Sequence, residues 1–303
     1  MEKVCAVVVT YNRKKLLLRN IESVLMQDYP VDVLIYDNAS TDGTYDCLKE
    51  NGYIDNERII YIRGEKNGGG SYGFCNGEKE AVKRGYGYLW LMDDDGYCVN
   101  NDTLKNLMDI QPENKKLIRN SYVLADTKTL EPTFDLGEFK TYKEIVSNSV
   151  DGLIWKYGNP YNGTLVPREC FEKVGFTDER FFIYGDENDF FLRTSKAGYT
   201  WVTPIKSLYY HPINRKVITE ISFMGLHVDV KDQPVWKHYL EVRNDAYLKK
   251  TYANQGIRFR NIIRVLAVSL LSKNKRIKRI YYGFMGLKDG TNGFFDRPIM
   301  FDV

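Results

Sequence analysis

The sequence has few cysteines, few histidines and no long uninterrupted apolar run. Its 303 residues include five cysteines and three histidines. Because the cysteines are scattered and odd in number, neither a disulfide framework nor a thiolate zinc site is predicted, and a reducing cytosol fits best. The longest apolar segment toward the C-terminus, residues 262–271, contains an arginine and is about half as long as a bilayer-spanning helix. The short apolar stretch after Lys3 lacks the pattern of a signal peptide. We therefore expect neither a transmembrane helix nor a cleaved leader.

Charge is distributed unevenly along the chain. The net charge is +3 from 43 basic and 40 acidic residues, but residues 231–303 hold fifteen Lys and Arg against six Asp and Glu. Residues 1–230 therefore hold 28 basic and 34 acidic side chains. With 43% apolar residues, the chain can bury a large core as one domain with a small appendage. We expect a domain over residues 1–230 and a basic helical extension over residues 231–303.

The first hundred residues alternate between strand-like and helix-like patterns. The runs VCAVVVT, VDVLIYD, ERIIYIR and YLWLM are typical of buried strands. The segments KKLLLRNIESVLMQ and GFCNGEKEAVKRGYG place apolar residues at helical spacing. Strands separated by helices form βαβ units, so the sequence predicts an α/β fold with a mostly parallel sheet flanked by helices.

Four polar clusters each follow a predicted strand. They are TYNR at residues 10–13, DNASTDGT at 37–44, NGGGSYGFCNG at 67–77 and DDDG at 93–96. In an open α/β sheet the ligand crevice lies at the carboxyl ends of the strands, so these clusters should converge on one site. The three adjacent carboxylates of DDDG repel one another beside a low-dielectric core, and a cation would satisfy them. The alternative is a solvated acidic turn that caps a helix.

The motifs occur in an order that resembles a known family. AVVVTYNRKKLLLRNIESVLMQDYPVDVLIYDNASTDGT, NGGGSYGF, WLMDDDG, FFIYGDENDFFLR and YYHP follow one another between Val4 and His211. This order resembles family 2 glycosyltransferases of the GT-A fold, and is most similar to bacterial galactofuranosyl- and rhamnosyltransferases that build cell-surface polysaccharides. The likeness extends loosely to HYLEVRNDAYL and GLKDGTNG near the C-terminus. It implies a nucleotide-binding half over residues 1–100 and an acceptor-side half over residues 101–230.

The resemblance implies a divalent metal, Mn²⁺ or Mg²⁺, held by Asp93, Asp95 and His211. Asp93 and Asp95 share one face if the segment is extended, and Asp94 then points elsewhere, toward the donor sugar or ribose. His211 precedes Pro212, which restricts the backbone, and imidazole suits metal sites with nitrogen and oxygen ligands. A lone histidine is more often structural, and that alternative stays open.

Sugar transfer with inversion requires a carboxylate that takes the proton of the acceptor hydroxyl. By the family's pattern this base is the second acid of an adjacent pair that opens a helix, which is Glu187 here, with Asp186 as the alternative. The family more usually has aspartate at that position. An acidic first turn also stabilises a helix through its dipole, without any catalysis.

The resemblance places the nucleotide at the strand ends. Candidate donor-binding residues are Thr10, Tyr11, Asn12, Arg13, Asp37, Asn67, Gly69, Gly70 and Asp94. An aromatic face, backbone groups and a carboxylate can hold a nucleobase and ribose, and consecutive glycines permit close approach of a ligand to the backbone. No Walker motif follows the glycines. Ordinary βα turn chemistry and a flexible connecting loop are the alternatives.

These expectations describe an inverting, metal-dependent glycosyltransferase. The first expected donor is UDP-galactofuranose and the second is dTDP-rhamnose, with a glycan or a polyprenyl-diphosphate-linked glycan as acceptor. The basic C-terminal helices, which include KNKRIKRIYY, suit an anionic membrane surface, so a cytoplasmic protein at the inner face of the cell membrane is expected. A solvated helical face is the alternative. No nucleic-acid-binding motif accompanies the basic residues, so no nucleic acid partner is expected.

Two other functions stay open from the sequence. A nucleotidyltransferase or phosphoryl-transfer enzyme could also hold Mg²⁺ on an aspartate cluster. A non-catalytic glycan- or membrane-binding protein would account for the 23 tyrosines, the four tryptophans and the basic tail. The ordered D-x-D motif, acidic pair and histidine argue against this second function.

Overall fold

The computed structural model describes residues 2–110, 116–213, 217–223, 226–231, 233–299 and 301. The strands are β1 Val4–Thr10, β2 Val31–Asp37, β3 Ile59–Arg63, β4 Tyr88–Asp93, β5 Tyr97–Cys98, β6 Leu117–Asn120, β7 Tyr122–Leu124, β8 Leu153–Trp155, β9 Asn162–Pro167, β10 Thr200–Pro204, β11 Leu208–Tyr210, β12 Val217–Phe223 and β13 Leu226–Lys231. The helices are α1 Lys14–Leu25, α2 Thr44–Glu50, α3 Gly69–Lys83, α4 Thr103–Met108, α5 Tyr142–Asn148, α6 Arg168–Val174, α7 Asp186–Lys196, α8 Val235–Ala253, α9 Phe259–Leu271 and α10 Arg276–Thr291.

The chain folds as two compact units. The first contains Met1–Glu179 and Phe190–Ile213, and the second contains Arg180–Asp189 and Asn214–Val303. Helix α7 is therefore shared by the two units, its first turn belonging to the second. The domain boundary expected at residue 230 stays a prediction, since it was drawn from charge and not from packing.

An eight-stranded mixed sheet forms the centre of the first unit. Its order is β3-β2-β1-β4-β9-β6-β10-β8. The pairs β1–β2, β2–β3, β1–β4 and β6–β10 are parallel, and the pairs β4–β9, β6–β9 and β8–β10 are antiparallel. Strands separated by helices in the first hundred residues produce the parallel part. The predicted α/β architecture is confirmed.

Alternating residues of β1 fill the two faces of this sheet, as the period of a strand requires. Val8 packs in one core cluster with Ile21 of α1, and Val7 packs in the other with Phe74 of α3. All seven residues of β1 are buried. Each fully buried aliphatic side chain stabilises the fold by about 1.5–3 kcal/mol, so the central strands are fixed between two helical layers.

The register of the parallel strands brings their carboxyl ends to one edge. Thr10 of β1 lies opposite Asp37 of β2, and Val9 lies opposite Asp93 of β4. A small sheet of order β5-β11-β7 continues from this edge, in which Tyr97 of β5 pairs with Tyr210 of β11. The residues just after β4 and just after β11 are thereby held side by side.

The second unit contains a β-hairpin and three helices. Strands β12 and β13 pair antiparallel, a feature that the sequence patterns do not indicate. Helix α10 lies close against α8, because a Cβ on Gly286 would come within 2.9 Å of the Tyr239 carbonyl oxygen. The helical pattern after residue 257 is split into α9 and α10 near Lys275, which has a φ of 52°. Among the described residues, none of the helices combines the length and apolarity that a bilayer crossing requires.

A buried acid in the first unit makes the stability of the protein depend on pH. Glu78 of α3 accepts hydrogen bonds from the Thr177 N–H at 2.8 Å and from the Thr177 hydroxyl at 2.7 Å. Burial raises the pKa of Glu78 to about 7, although both hydrogen bonds oppose the shift. The unfolded chain loses this proton at a lower pH than the folded chain, so stability falls as pH rises through this interval.

We expect Glu78→Gln to remove this pH dependence, because the neutral amide replaces the protonated acid. The free energy of unfolding of the variant, relative to the parent, should rise by about 3 kcal/mol between pH 4 and pH 8. Urea unfolding of both proteins at several pH values measures this difference in the free energy of unfolding. The control is Glu138→Gln, at an exposed position. A difference that stays constant with pH would show that the pKa of Glu78 is the same in the folded and unfolded chains, which would contradict the raised pKa.

Candidate functional site

Two carboxylates and one imidazole meet at the carboxyl edge of the sheet. Asp93 ends β4, Asp95 lies in the turn that follows, and His211 follows β11. One ligand atom from each residue lies within 4.8 Å of the other two. The His211 Nε2 atom is 3.2 Å from Asp95 Oδ1. Asp95 and His211 are buried and Asp93 is half-buried.

Buried groups hold the backbone of the DDDG turn in place. The Asn20 amide donates to the Asp93 carbonyl oxygen at 3.2 Å and to the Gly96 carbonyl oxygen at 3.0 Å. The Tyr209 hydroxyl also donates to the Asp93 carbonyl oxygen, at 3.2 Å. The Tyr209 ring lies against Gly96, where any Cβ would collide with it. The glycine of the motif is therefore required by packing.

The donor set fits a divalent metal ion. Metal–ligand bonds of about 2.0–2.2 Å bring ligand atoms to within about 4.4 Å of one another, so small side-chain adjustments would close this cluster. The Nδ1 atom of His211 lies 2.8 Å from the Pro212 carbonyl oxygen, which fixes the N–H there and leaves Nε2 for a ligand. The His211 backbone is held by an N–H bond to the Leu124 carbonyl oxygen at 3.1 Å.

The carboxylate and imidazole also shift each other's protonation. Burial alone would raise the pKa of Asp95 and lower that of His211. Their mutual hydrogen bond and opposite charges outweigh burial, so the pKa of Asp95 is lowered and that of His211 is raised. In this structure the pair therefore favours the ionised forms of both groups.

Asp94 is turned away from this cluster. It accepts hydrogen bonds from the Thr10 hydroxyl at 2.7 Å and from Arg13 Nη1 at 3.1 Å. The same Arg13 nitrogen reaches Asp95 Oδ2 at 2.8 Å. Burial raises the pKa of Asp94 to about 6, against the lowering effect of Arg13 and Thr10. Arg13 is thus a cation that the protein itself supplies to Asp94 and Asp95.

The clusters after β1 and β2 are joined by hydrogen bonds. The Asn12 N–H donates to the Ser40 hydroxyl at 2.9 Å, and the Asn12 side-chain oxygen accepts from the Thr41 N–H at 2.7 Å. Asn12 has a φ of 54°, a conformation that asparagine tolerates. Tyr11 is 40% exposed beside it. The two turns form one surface next to Arg13.

Asp37 is buried inside this arrangement and has no exposed surface. Its carboxylate accepts from the Ser40 N–H at 2.7 Å and from the Tyr61 hydroxyl at 2.6 Å. Arg63, at the end of β3, lies 3.4 Å from the same carboxylate. The side chain therefore shapes the loop after β2 in this structure, and its contact with a nucleotide stays a prediction. Sequence patterns did not single out Tyr61 or Arg63.

The glycine cluster forms the first turn of α3, where a flexible loop was the alternative expectation. Asn67 accepts from the Gly69 N–H at 2.9 Å, and the Asn38 amide donates to the Gly69 carbonyl oxygen at 3.2 Å. Gly69 has a φ of 82°, and a Cβ on Gly70 would meet no atom within 4 Å. The helix therefore begins directly at the edge of the sheet, with open space beside Gly70.

Two buried polar atoms near this turn lack a partner. Asn38 Oδ1 and Ser71 Oγ have no hydrogen-bond partner within the described part of the chain. Asn38 is 2% exposed and Ser71 is fully buried. Because buried polar atoms are nearly always satisfied in folded proteins, these two are suited to bind a polar group of a ligand or a water molecule.

The second acidic cluster belongs to the second unit. Asp186 and Glu187 lie in the first turn of α7, with Asp186 buried and Glu187 half-buried. Glu187 accepts a hydrogen bond from the Gly185 N–H at 3.0 Å. Asp189 accepts from the Tyr252 hydroxyl at 2.6 Å. These contacts lie within the second unit, and the catalytic role of Asp186 and Glu187 stays a prediction.

The loop that precedes these acids is strained and anchored by buried side chains. Phe182 and Tyr184 have φ values of 68° and 66°, which are unfavourable for aromatic residues. The Asn244 amide donates to the carbonyl oxygens of Phe181 at 3.1 Å, Ile183 at 2.9 Å and Tyr184 at 2.7 Å. Arg243 Nη2 reaches the Phe181 carbonyl oxygen at 3.0 Å. Helix α8 thus fixes the backbone that leads to Glu187.

Sequence reasoning assigned no role to Asn20, Arg243 or Asn244, each of which is at most 1% exposed. The sequence nevertheless contains a feature that marks each of these residues. Asn20 falls on the apolar face of α1, and Arg243 and Asn244 lie in HYLEVRNDAYL, a segment already noted as loosely similar to the family. Polar residues on a buried helix face indicate specific partners, but the pattern does not identify those partners.

Comparison with known proteins agrees with this architecture. Residues 5–131 match the family model "Glycosyl transferase family 2". The galactofuranosyltransferase GlfT1 of Mycolicibacterium smegmatis is 27% identical over 256 residues, which cover 82% of this chain and 83% of that protein.

Two solved structures share the fold at low sequence identity. The mannosyltransferase PcManGT from Pyrobaculum calidifontis, in complex with GDP-Man and Mn²⁺, has a TM-score of 0.55 at 14% identity, over 96% of this chain and 75% of that one. S. aureus TarS 1–349 in complex with UDP-GlcNAc has a TM-score of 0.52 at 15% identity, over 97% of this chain and 93% of that one. Taken together, the family match over residues 5–131, the strand order of the sheet and the likeness to these solved structures show that the chain has the GT-A fold and is a glycosyltransferase similar to family 2.

Proposed function

We propose that this protein transfers a sugar, with inversion, from a UDP-sugar to a hydroxyl of a glycan with the help of a divalent metal ion. UDP-galactofuranose is the first donor to test and dTDP-rhamnose the second. The observation that carries the proposal is the cluster of Asp93, Asp95 and His211 at the carboxyl edge of the sheet. The similarity to a galactofuranosyltransferase supports the choice of sugar.

The metal is proposed to bind Asp93, Asp95 and His211. Mn²⁺ or Mg²⁺ supplies positive charge that stabilises a departing diphosphate. The three residues offer two anionic oxygens and one nitrogen, a mixed set that suits either ion. Mn²⁺ is the first ion to test, because a solved structure of the same fold contains it.

The nucleotide is proposed to lie along the turns after β1 and β2 and against the start of α3. Tyr11 offers an exposed ring for the base, and Thr10 and Asn12 lie on either side of it. Asn38 Oδ1 and Ser71 Oγ supply unpaired acceptor or donor atoms near Gly69. Arg13 bridges Asp94 and Asp95, and its guanidinium is suited to contact the diphosphate because it lies beside the proposed metal ligand Asp95.

The acceptor proton is proposed to be taken by Glu187, with Asp186 as the alternative base. The Gly185 N–H donates a hydrogen bond to Glu187 at 3.0 Å and so orients the carboxylate. The acceptor is a glycan, free or linked to a polyprenyl diphosphate. Phosphoryl transfer and non-catalytic glycan binding receive no support from the family match, which points to sugar transfer.

The metal site is tested by calorimetric titration of UDP, dTDP and GDP, with and without Mn²⁺. We expect metal-dependent UDP binding, and a loss of affinity of at least about 100-fold in Asp95→Asn, because one anionic ligand is removed. Asp55→Asn, at an exposed position, is the matched control and should bind as the parent does. Tighter binding of dTDP than of UDP would favour dTDP-rhamnose over UDP-galactofuranose as the donor. The proposal fails if no nucleoside diphosphate binds under any metal condition.

The base is tested by Glu187→Gln and Asp186→Asn in an assay that follows release of UDP from UDP-galactofuranose with an acceptor glycan. Glu187→Gln should lower kcat by about 10²–10⁴-fold while UDP affinity stays unchanged, because the amide cannot take a proton. Asp186→Asn should have a smaller effect. Glu172→Gln, at an exposed ion pair, is the control. A larger loss in Asp186→Asn would reverse the assignment, and two active variants would exclude both acids.

The anchor of the acidic loop is tested by Asn244→Ala. The substitution removes the side-chain donor to the carbonyl oxygens of Ile183 and Tyr184 and one of the donors to that of Phe181, so both the free energy of unfolding and kcat should fall. At a temperature where the variant stays folded, kcat should be lowered at least about tenfold, with UDP affinity unchanged and the acidic limb of the pH profile displaced. Asn51→Ala, at an exposed position, is the control. An unchanged kcat and pH profile in a destabilised variant would limit Asn244 to a structural role.

A further inference from the structure

A long segment of the second unit carries no acidic residue. Residues 246–288 contain no Asp or Glu, and their eleven basic residues are Lys249, Lys250, Arg258, Arg260, Arg264, Lys273, Lys275, Arg276, Lys278, Arg279 and Lys288. Helices α9 and α10, with the turn between them, form the main part, residues 257–288, which we call the basic hairpin. All of its basic side chains except that of Arg279 are exposed. This surface attracts anions and repels a second copy of itself.

Helix α10 also exposes an apolar stripe. Ile277 is 83% exposed, Tyr281 60% and Phe284 38%. Their spacing of four and three residues places them on one face of the helix. The opposite face is buried, because Gly283 lies against Val265 of α9 and Gly286 lies against the α8 backbone. The exposed stripe is therefore not needed to hold α10 in the unit.

Helix α9 shows the same combination. Phe259 is 75% exposed and Leu270 is 54% exposed, and Ile263 and Leu266 lie half-exposed on the same face between them. Val265 and Ser269 form the buried face. Each helix of the basic hairpin thus presents large apolar side chains to solvent, among arginines and lysines. Exposed apolar side chains that line up along a helix face mark interaction surfaces.

We propose that the basic hairpin docks this protein on a lipid surface that contains anionic headgroups. Apolar side chains on one face of a helix enter the boundary between headgroups and acyl chains, and the neighbouring Lys and Arg side chains bind the lipid phosphates. Tyr281 is suited to this boundary, since its ring is apolar and its hydroxyl polar. The basic hairpin is complementary in charge to an anionic lipid surface, whereas it would repel the same surface of a second copy of the chain. The proposal goes beyond the transfer reaction and does not depend on which sugar is transferred.

The test is cosedimentation of the full chain with vesicles of phosphatidylcholine alone or with added phosphatidylglycerol. We expect binding to the anionic vesicles that weakens as salt is raised, because exposed charges are screened. Replacing Lys273, Lys275, Arg276 and Lys278 by Gln should lower the affinity at least about tenfold. Replacing Ile277, Tyr281 and Phe284 by Ser should also lower it, and should make any remaining binding more sensitive to salt.

Matched controls use the first unit of the chain. Lys128, Lys140 and Lys143 replaced by Gln, and Val150→Ser, change exposed side chains of the same kinds and should leave vesicle binding unchanged. UDP binding in the presence of Mn²⁺ is measured on every preparation, so that loss of the fold or failure of the proposed function is seen separately. Equal binding to both vesicle types, or the same binding by parent and variants, would overturn the proposal. It would also be overturned if the Ser variant converted a dimer to a monomer without any change in vesicle binding, since the stripe would then join two copies.

Discussion

The repulsion among Asp93, Asp94 and Asp95 is the constraint on which the candidate site depends. Three carboxylates at consecutive positions cannot all stay ionised beside a buried sheet unless positive charge or donors reach them. The three carboxylates have different partners. Arg13 and Thr10 bind Asp94, and Arg13 and His211 bind Asp95. Asp93, Asp95 and His211 together form a cluster with the chemistry of a cation site.

These contacts require the sheet, because their members are far apart in sequence. Thr10 and Asp94 are 84 residues apart, and the parallel register of β1 with β4 brings them together. His211 arrives through β11, whose pairing with β5 holds it beside the turn that follows β4. Asn20 and Tyr209 fix the backbone of that turn from the buried side. The site is thus built on rigid elements, and its polar groups are positioned before any ligand binds.

Different interactions organise the second unit. Buried Arg243 and Asn244 satisfy the carbonyl groups of a loop that has unfavourable backbone angles, and this loop leads to the acids of α7. Strained loops persist where the surrounding structure holds them, and they are frequent at functional sites. The same unit carries the basic hairpin, whose exposed face contributes nothing to that anchoring. Backbone positioning and surface recognition are therefore carried by separate helices, α8 for the first and α9 with α10 for the second.

The sequence by itself determined the alternation of strands and helices, the order of the polar clusters and the three adjacent carboxylates, because these depend on local periodicity and on residue type. Only the tertiary structure decided that Asp37 is enclosed by Ser40 and Tyr61, and that Asp94 turns to Arg13. It also decided that the glycine cluster starts a helix, and that β12 and β13 form a hairpin. These outcomes follow from hydrogen bonds and packing between distant segments, which a pattern along one chain does not specify. For the same reason the partners of Asn20 and Asn244 became known only when the buried helix faces were placed against the turns they hold.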